Sequence, residues 1–190
     1  MAIGIGLIIG LIVILILVGV VGYIVAIFNG LIRLKNNIKK SLGNIDVLLK
    51  QRHDELPKLI ETVKGYMKHE RGVLTEITKA RSIYSKAGND IHKKAQADNM
   101  LSGALKTLFA VAENYPKLQA NENFMQLQAR ISGIENELAD RREFYNDSTN
   151  QFNIRIQSIP DVIVARIMGY KEQEMFKASE KEKKDVEVKF

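Results

Sequence analysis

The chain has 190 residues, with 28 Lys or Arg against 22 Asp or Glu, a net charge of +6, and no cysteine. The lack of thiols excludes disulfides, thiolate metal sites and a cysteine nucleophile. Setting aside one apolar stretch at the amino terminus, about 160 residues remain, the size of one ordinary domain with enough chain to bury a core.

Residues 1–28, MAIGIGLIIGLIVILILVGVVGYIVAIF, carry no charged side chain, and the first charge after them is Arg33. A helix needs roughly 20 apolar residues to cross a hydrocarbon core of about 30 Å. The run exceeds that and has no polar face, so it reads as a transmembrane anchor. A cleaved signal peptide fits worse. It would have a basic start, a shorter apolar core and small residues at its end, whereas this run has no Lys or Arg and is bulky from Tyr23 to Phe28. Inside it, Gly6-Leu7-Ile8-Ile9-Gly10 is a GxxxG motif, with Gly4, Gly19 and Gly22 as further small positions. Small residues four apart let two membrane helices approach closely, so Gly6 and Gly10 are the candidate packing face for self-association. The bland alternative is that glycine is common in such helices.

Arg33, Lys35, Lys39 and Lys40 follow the span, while its amino-terminal flank has no basic side chain. Basic flanks stay on the cytoplasmic side. The reading is a single-pass protein of the cell membrane, with its amino terminus outside and the rest cytoplasmic. From Arg33 to Arg71 there are ten basic and five acidic residues. Such charge beside a bilayer suits anionic headgroups, at about 1 kcal/mol per residue near the surface. Nucleic acid is the poorer partner, since no stacking platform or nucleic-acid motif is present.

Beyond Asn29-Gly30, a possible bend, Leu31, Leu34, Ile38, Leu42, Ile45 and Leu48/Leu49 recur at the spacing of one helical face. Pro57, with Asp54 as a cap, is expected to open a second helix running to Tyr84. Gly65 and Gly72 would lie inside it, where a neighbouring helix approaches closely. Lys86-Ala87-Gly88-Asn89-Asp90 supplies a stop signal. A third helix is expected over Ile91 to Tyr115, stopped by Pro116. Asn121 then caps a fourth, whose stripe of Phe124, Leu127, Ile131, Ile134, Leu138, Tyr145, Phe152, Ile156 and Ile159 keeps a coiled-coil-like spacing for about ten turns, on the order of 55 Å. Pro160 ends it.

No stretch alternates with period two over any length, so the expected fold is all-α: an N-terminal transmembrane helix followed by an antiparallel up-and-down bundle of long helices. The expected divisions are an anchor over 1–28, a bundle over 29–160, and a short apolar segment with a charged mobile tail over 161–190. The segment DVIVARIMGY is too short to span a bilayer. Docking on the bundle is its expected role, with a lipid interface or a partner as alternatives. The closing VEVKF alternates and suits a strand-like contact.

Two long motifs resemble the LemA family of prokaryotic membrane proteins: IDVLLKQRHDELPKLIETVKGYMKHERGVLTEITKARS from Ile45 to Ser82, and ENYPKLQANENFMQLQARISGIENELADRREFYNDSTNQFN from Glu113 to Asn153. The MGYK after Pro160 and the terminal VEVKF are similar to the family's ending. The resemblance implies an amino-terminal transmembrane helix before an antiparallel helical bundle, and it defines no activity. Its motif positions are Arg52, His53, Asp54, Pro57, Lys64, Gly65, Tyr66, His69 and Glu70 in the first block. In the second they are Tyr115, Pro116, Asn121, Asn123, Phe124, Arg141, Arg142, Tyr145 and Asn146. Gly43-Asn44 departs from the family, which more often has an aromatic and a small residue there.

Acid–base chemistry has few candidates: His53 beside Asp54 and Glu55, and His69 beside Glu70. No HExxH occurs, and the residues three after Glu55, Glu61 and Glu70 are Lys58, Lys64 and Val73, so the Glu-x-x-His pairs of di-iron bundles are missing. His92 stands alone, and there is no phosphate loop or GxSxG. The chain therefore reads as no enzyme, with no cofactor, metal or small-molecule substrate. Arg52-His53-Asp54 reads as a charged helix-turn corner, with Asp54 capping one helix and Arg52 and His53 bonding the carbonyls that end the other. Arg141, Arg142 and Tyr145 are expected to meet acids on a neighbouring helix, and Tyr66 and Tyr145 to be partly buried with hydroxyls at a polar rim. The function expected is a membrane-anchored scaffold that forms homo-oligomers and contacts other membrane proteins. The alternative is a monomeric adaptor in membrane stress or signalling, reached through 161–170 and VEVKF.

Overall fold

A computed structural model of the chain describes residues 2–67, 69–88 and 90–176, apart from the side chains of 2, 3 and 5. The described residues form six helices and no strand: α1 (Ala2–Lys64), α2 (Arg71–Ala87), α3 (Ile91–Ala112), α4 (Pro116–Gln119), α5 (Glu122–Gln157) and α6 (Asp161–Ile167). The all-α expectation holds. VEVKF lies outside the described residues. The chain divides into two compact units, one of Met1–Lys40 with Asn146–Met175, the other of Ser41–Tyr145 with Phe176 among the described residues.

In the first unit, the large apolar side chains of α1 from Leu7 to Val25 are exposed, and burial begins at Ile27 and Leu31. Among the described residues α1 alone is long and apolar enough to cross a membrane, which suggests a membrane anchor. The helix continues unbroken through Asn29-Gly30. Gly30 is a place of close approach. A Cβ there would lie 2.6 Å from Nη1 of Arg155, so the missing side chain makes room for the guanidinium. Arg155 also pairs with Asp161, the first residue of α6. Phe152, Ile156, Val164 and Ala165 supply the buried apolar face of α5 and α6, and Tyr170 stacks near Phe152 at 5.5 Å. After α6, Asn153 and Gln173 bond to each other twice, each time at 2.8 Å.

In the second unit, Pro57 does not open a helix: α1 passes through it without interruption. A proline inside a helix costs about 3 kcal/mol through a lost hydrogen bond and a ring clash. The flanking Leu56, Leu59 and Val63 are fully buried. Each such side chain returns about 1.5–3 kcal/mol, so tertiary burial outweighs the local break. Asp54 is accordingly no cap, and it pairs along the helix surface with Lys50 at 2.9 Å. The break comes after Lys64, where Tyr66 and Met67 both donate backbone bonds to the Val63 carbonyl. Gly65 follows the helix end and Gly72 sits in the first turn of α2. A Cβ on either would meet nothing within 4 Å, so the expected close approach is absent.

Helix α2 stops at Gly88, whose φ of 54° only glycine adopts freely. Asp90 caps α3 by accepting from the Lys93 amide at 3.1 Å. Pro116 opens the single turn α4, at the position where its missing N–H costs nothing. Asn121 caps α5 as expected, accepting from the Phe124 amide at 3.0 Å. Leu56, Leu59, Val63, Met67, Ile77, Leu101, Leu105, Leu108, Leu118, Phe124 and Ile131 form the core of this unit. Arg52 faces Glu135 and Glu55 faces Arg130, so α1 and α5 run antiparallel here.

Candidate functional site

The candidate residues of the first unit lie along α1. Gly6 and Gly10 have open space where a Cβ would sit, with Leu7, Ile9, Leu11 and Val13 exposed around them. Arg33, Lys35, Lys39 and Lys40 are all exposed. Lys35 holds its ammonium 4.3 Å above the Tyr170 ring, within the range of a cation–π contact.

The second unit builds its site around Arg52. This side chain follows the apolar register of Ile45, Leu48/Leu49, Leu56 and Leu59 on α1, which carries the guanidinium into the core, fully buried. It donates through Nη1 to Glu135 on α5 and, at 3.2 Å, to the Ser102 hydroxyl on α3. Through Nη2 it reaches the Asp98 carboxylate and, at 3.4 Å, the Asp98 carbonyl. Ser102 in turn donates to Glu135 at 2.6 Å. Arg142 of α5 pairs with the other oxygen of Asp98. Two guanidinium and two carboxylate groups thus balance across three helices.

The expected corner at Arg52-His53-Asp54 does not exist, because no helix ends there. Burial pushes the Arg52 guanidinium below its ordinary value, and the charge and hydrogen bond of Glu135 pull it back up. An arginine nonetheless stays charged at any working pH. Breaking such a buried pair by removing one partner costs about 3–5 kcal/mol, since it strands a charge in the core.

His53 lies beside this network, its ring 5.1 Å from that of Tyr84 and its Nδ1 buried without a hydrogen-bond partner. Burial, then Arg81, holds the imidazole below its usual range, against an upward pull from Asp54 and with a further downward push from Lys50. Burial, with Asp46 and Asp54 adding to it, raises the Tyr84 phenol.

At the other end of the unit, residues of both sequence motifs meet. The Tyr66 hydroxyl accepts from the Asn121 amide at 3.2 Å, and the Tyr115 hydroxyl donates to Glu70 at 3.4 Å. Phe124 is buried, with its ring 6.3 Å from Phe109. Lys64, Pro57, Gly65 and His69 are exposed, and Tyr66 is partly so. Arg142 meets an acid on another helix as expected, whereas Arg141 pairs with Glu137 on its own helix at 3.1 Å. Tyr145 is fully buried rather than at a rim, its ring edge-on to Phe176 at 6.4 Å. Among the described residues, no three His, Cys, Asp or Glu side chains gather as a metal site would require.

Sequence reasoning missed Asp98, Ser102 and Glu135. The available signal was a register one. Asp98 occupies the α3 face of Ala97, Leu101, Leu105 and Leu108, where a carboxylate is stable only with a buried cation opposite.

Fold and site together define an all-α protein with one anchor-length apolar helix, whose helical bundle is tied by a buried ionic network. The chain belongs to the LemA family, whose model matches residues 41–190. Protein LemA of Metamycoplasma hominis is 31% identical over 164 residues, 84% of this chain and 73% of that protein. Magnetosome protein MamQ 2 of Paramagnetospirillum magneticum is 35% identical over 80 residues, 42% of this chain and 29% of its own length. Magnetosome protein MamQ of Magnetospirillum gryphiswaldense is 31% identical over 80 residues, with the same coverage of 42% and 29%. The match thus spans under a third of either magnetosome relative. Family membership and the apolar helix together suggest a membrane-associated protein.

Proposed function

We propose that the chain is a non-enzymatic, membrane-anchored scaffold that self-associates through its anchor and long helices. The observation that carries this reading is the exposed apolar length of α1, with unfilled space at Gly6 and Gly10. Open glycine positions four apart let a second membrane helix come close enough for backbone packing. Arg33, Lys35, Lys39 and Lys40 serve as contacts for anionic headgroups, and the bundle is cytoplasmic by the charge rule.

The test is the particle mass of the full chain in lipid nanodiscs beside the G6L/G10L double variant. Loss of a defined oligomer supports the scaffold, and an unchanged mass removes this face. Topology is checked separately by labelling N150C with an impermeant maleimide, since the chain has no cysteine of its own.

A groove of the second unit favours the adaptor as a second reading. Lys64, Arg71 and Lys79 line it together with Ile60 and Leu74, and no carboxylate is among the lining residues. An acidic amphipathic segment of a partner suits that surface. A particle that is monomeric with and without the glycine substitutions would shift the reading to this adaptor.

A further inference from the structure

We propose that α6 and the turn before it make a second contact with the bilayer, with Ile159, Ile163 and Ile167 entering the headgroup–acyl boundary beside the exit of α1. This rests on the reading of residues 1–28 as membrane-spanning. The three isoleucines recur at four-residue steps and are 87%, 60% and 82% exposed. On the opposite side of α6, Val164 and Ala165 are buried. The helix is therefore apolar on both faces, and only one face has a protein partner within its unit.

The position of α6 identifies what covers the other face. Arg155 lies against Gly30 and pairs with Asp161, which ties the start of α6 to α1. Tyr170, just past the end of α6, lies under Lys35. Both tethers thus fall between Gly30 and Lys35. That interval directly follows the last apolar residue of the anchor, Phe28, and contains the first charge, Arg33. Just before it and within it, at Ile27 and Leu31, side chains of α1 change from exposed to buried. A bilayer surrounding the exposed anchor would end at this level, so the isoleucine stripe continues the same lipid-facing surface.

The surrounding charge agrees with that assignment. Arg166 is exposed between Ile163 and Ile167, and Lys171, Arg33 and Lys35 lie exposed in the same unit. Long basic side chains beside an apolar stripe place their stems in the acyl boundary and their charges among headgroups. Asp161 is paired with Arg155, and the unit's seven Lys or Arg outnumber its four acids, Asp147, Asp161, Glu172 and Glu174. Seven residues are too few to span a membrane, so α6 lies in the interface rather than across it.

The chain has no tryptophan, which makes a single introduced indole a clean depth probe. I163W, I159W, L15W and Q151W variants of the full chain would be placed in nanodiscs containing lipids brominated either near the glycerol end of the acyl chains or near their termini. I163W and I159W should be blue-shifted and quenched by the shallow bromines more than by the deep ones. L15W should show the reverse preference, and Q151W should be quenched by neither. If L15W is quenched while I159W and I163W stay red-emitting and unquenched, the anchor stands and the α6 contact is overturned. If I163W is blue-shifted without quenching, protein rather than lipid covers the stripe, which also overturns the proposal. Failure of L15W to be quenched removes the anchor reading and this inference with it.

Discussion

In the first unit the large apolar side chains from Leu7 to Val25 stand exposed, while in the second a guanidinium and a carboxylate, Arg52 and Asp98, are fully buried. Each arrangement inverts the usual rule for a soluble domain. The exposed apolar helix suits apolar surroundings, where lipid would replace the protein core as solvent for Leu, Ile and Val. The buried charges are stable only because each is opposed by another across a helix contact. One region leans on its environment, and the other carries its polar surroundings within itself. Mutation should therefore affect the two unequally.

The largest effect is expected at Asp98, the carboxylate shared by Arg52 and Arg142. Asp98→Asn keeps the shape and removes the charge both guanidinium groups face, at a cost of about 3–5 kcal/mol. Chemical denaturation of the full chain in nanodiscs should show this loss. A change under about 1 kcal/mol would mean that the network is no stronger than a surface pair. Next comes Asn121→Ala, which removes the α5 cap and the bond to Tyr66 together. A cost of about 1–2 kcal/mol is expected in the same measurement, the upper range for a cap.

Gly30→Ala probes the first unit. Its Cβ meets only the far end of the Arg155 side chain, which can swing away and loosen the pair with Asp161. With Arg155 40% exposed, the loss should stay below about 1 kcal/mol. A loss as large as that at Asp98 would break the comparison between the units.

The smallest effect is a pH dependence at His53. Its imidazole is held below the usual range in the folded chain, so the unfolded chain takes up a proton first as pH falls. Its contribution is fully present above the ordinary histidine value of about 6.5 and declines as pH drops below it. His53→Gln should flatten the stability profile on the acid side. A profile identical to that of the parent chain would assign the acid sensitivity elsewhere.

How far these features were legible varied with their range along the chain. The Asn121 cap is a contact across three residues, and the stripe from Leu31 to Leu49 a repeat within one helix, so both could be read directly. Pro57 misled because propensity is a local rule, and the burial of Leu56, Leu59 and Val63 comes from elsewhere in the fold. The same holds for Gly30, whose role became visible only with Arg155 against it. Asp98 and Glu135 are 46 and 83 residues from Arg52, and no spacing in the sequence announces which charges will meet.

By itself, then, the order of amino acids determined the anchor-length apolar run, the basic stretch after it, the all-α character and the helix ends at Gly88, Asp90, Asn121 and before Pro160. These follow from hydropathy, periodicity and capping, each a property of neighbouring residues. Tertiary structure alone decided that α1 runs through its proline, that Arg52 is a core residue, and that α6 leaves one apolar face uncovered. Those outcomes depend on which distant surfaces come together, and burial there is worth more than any local preference.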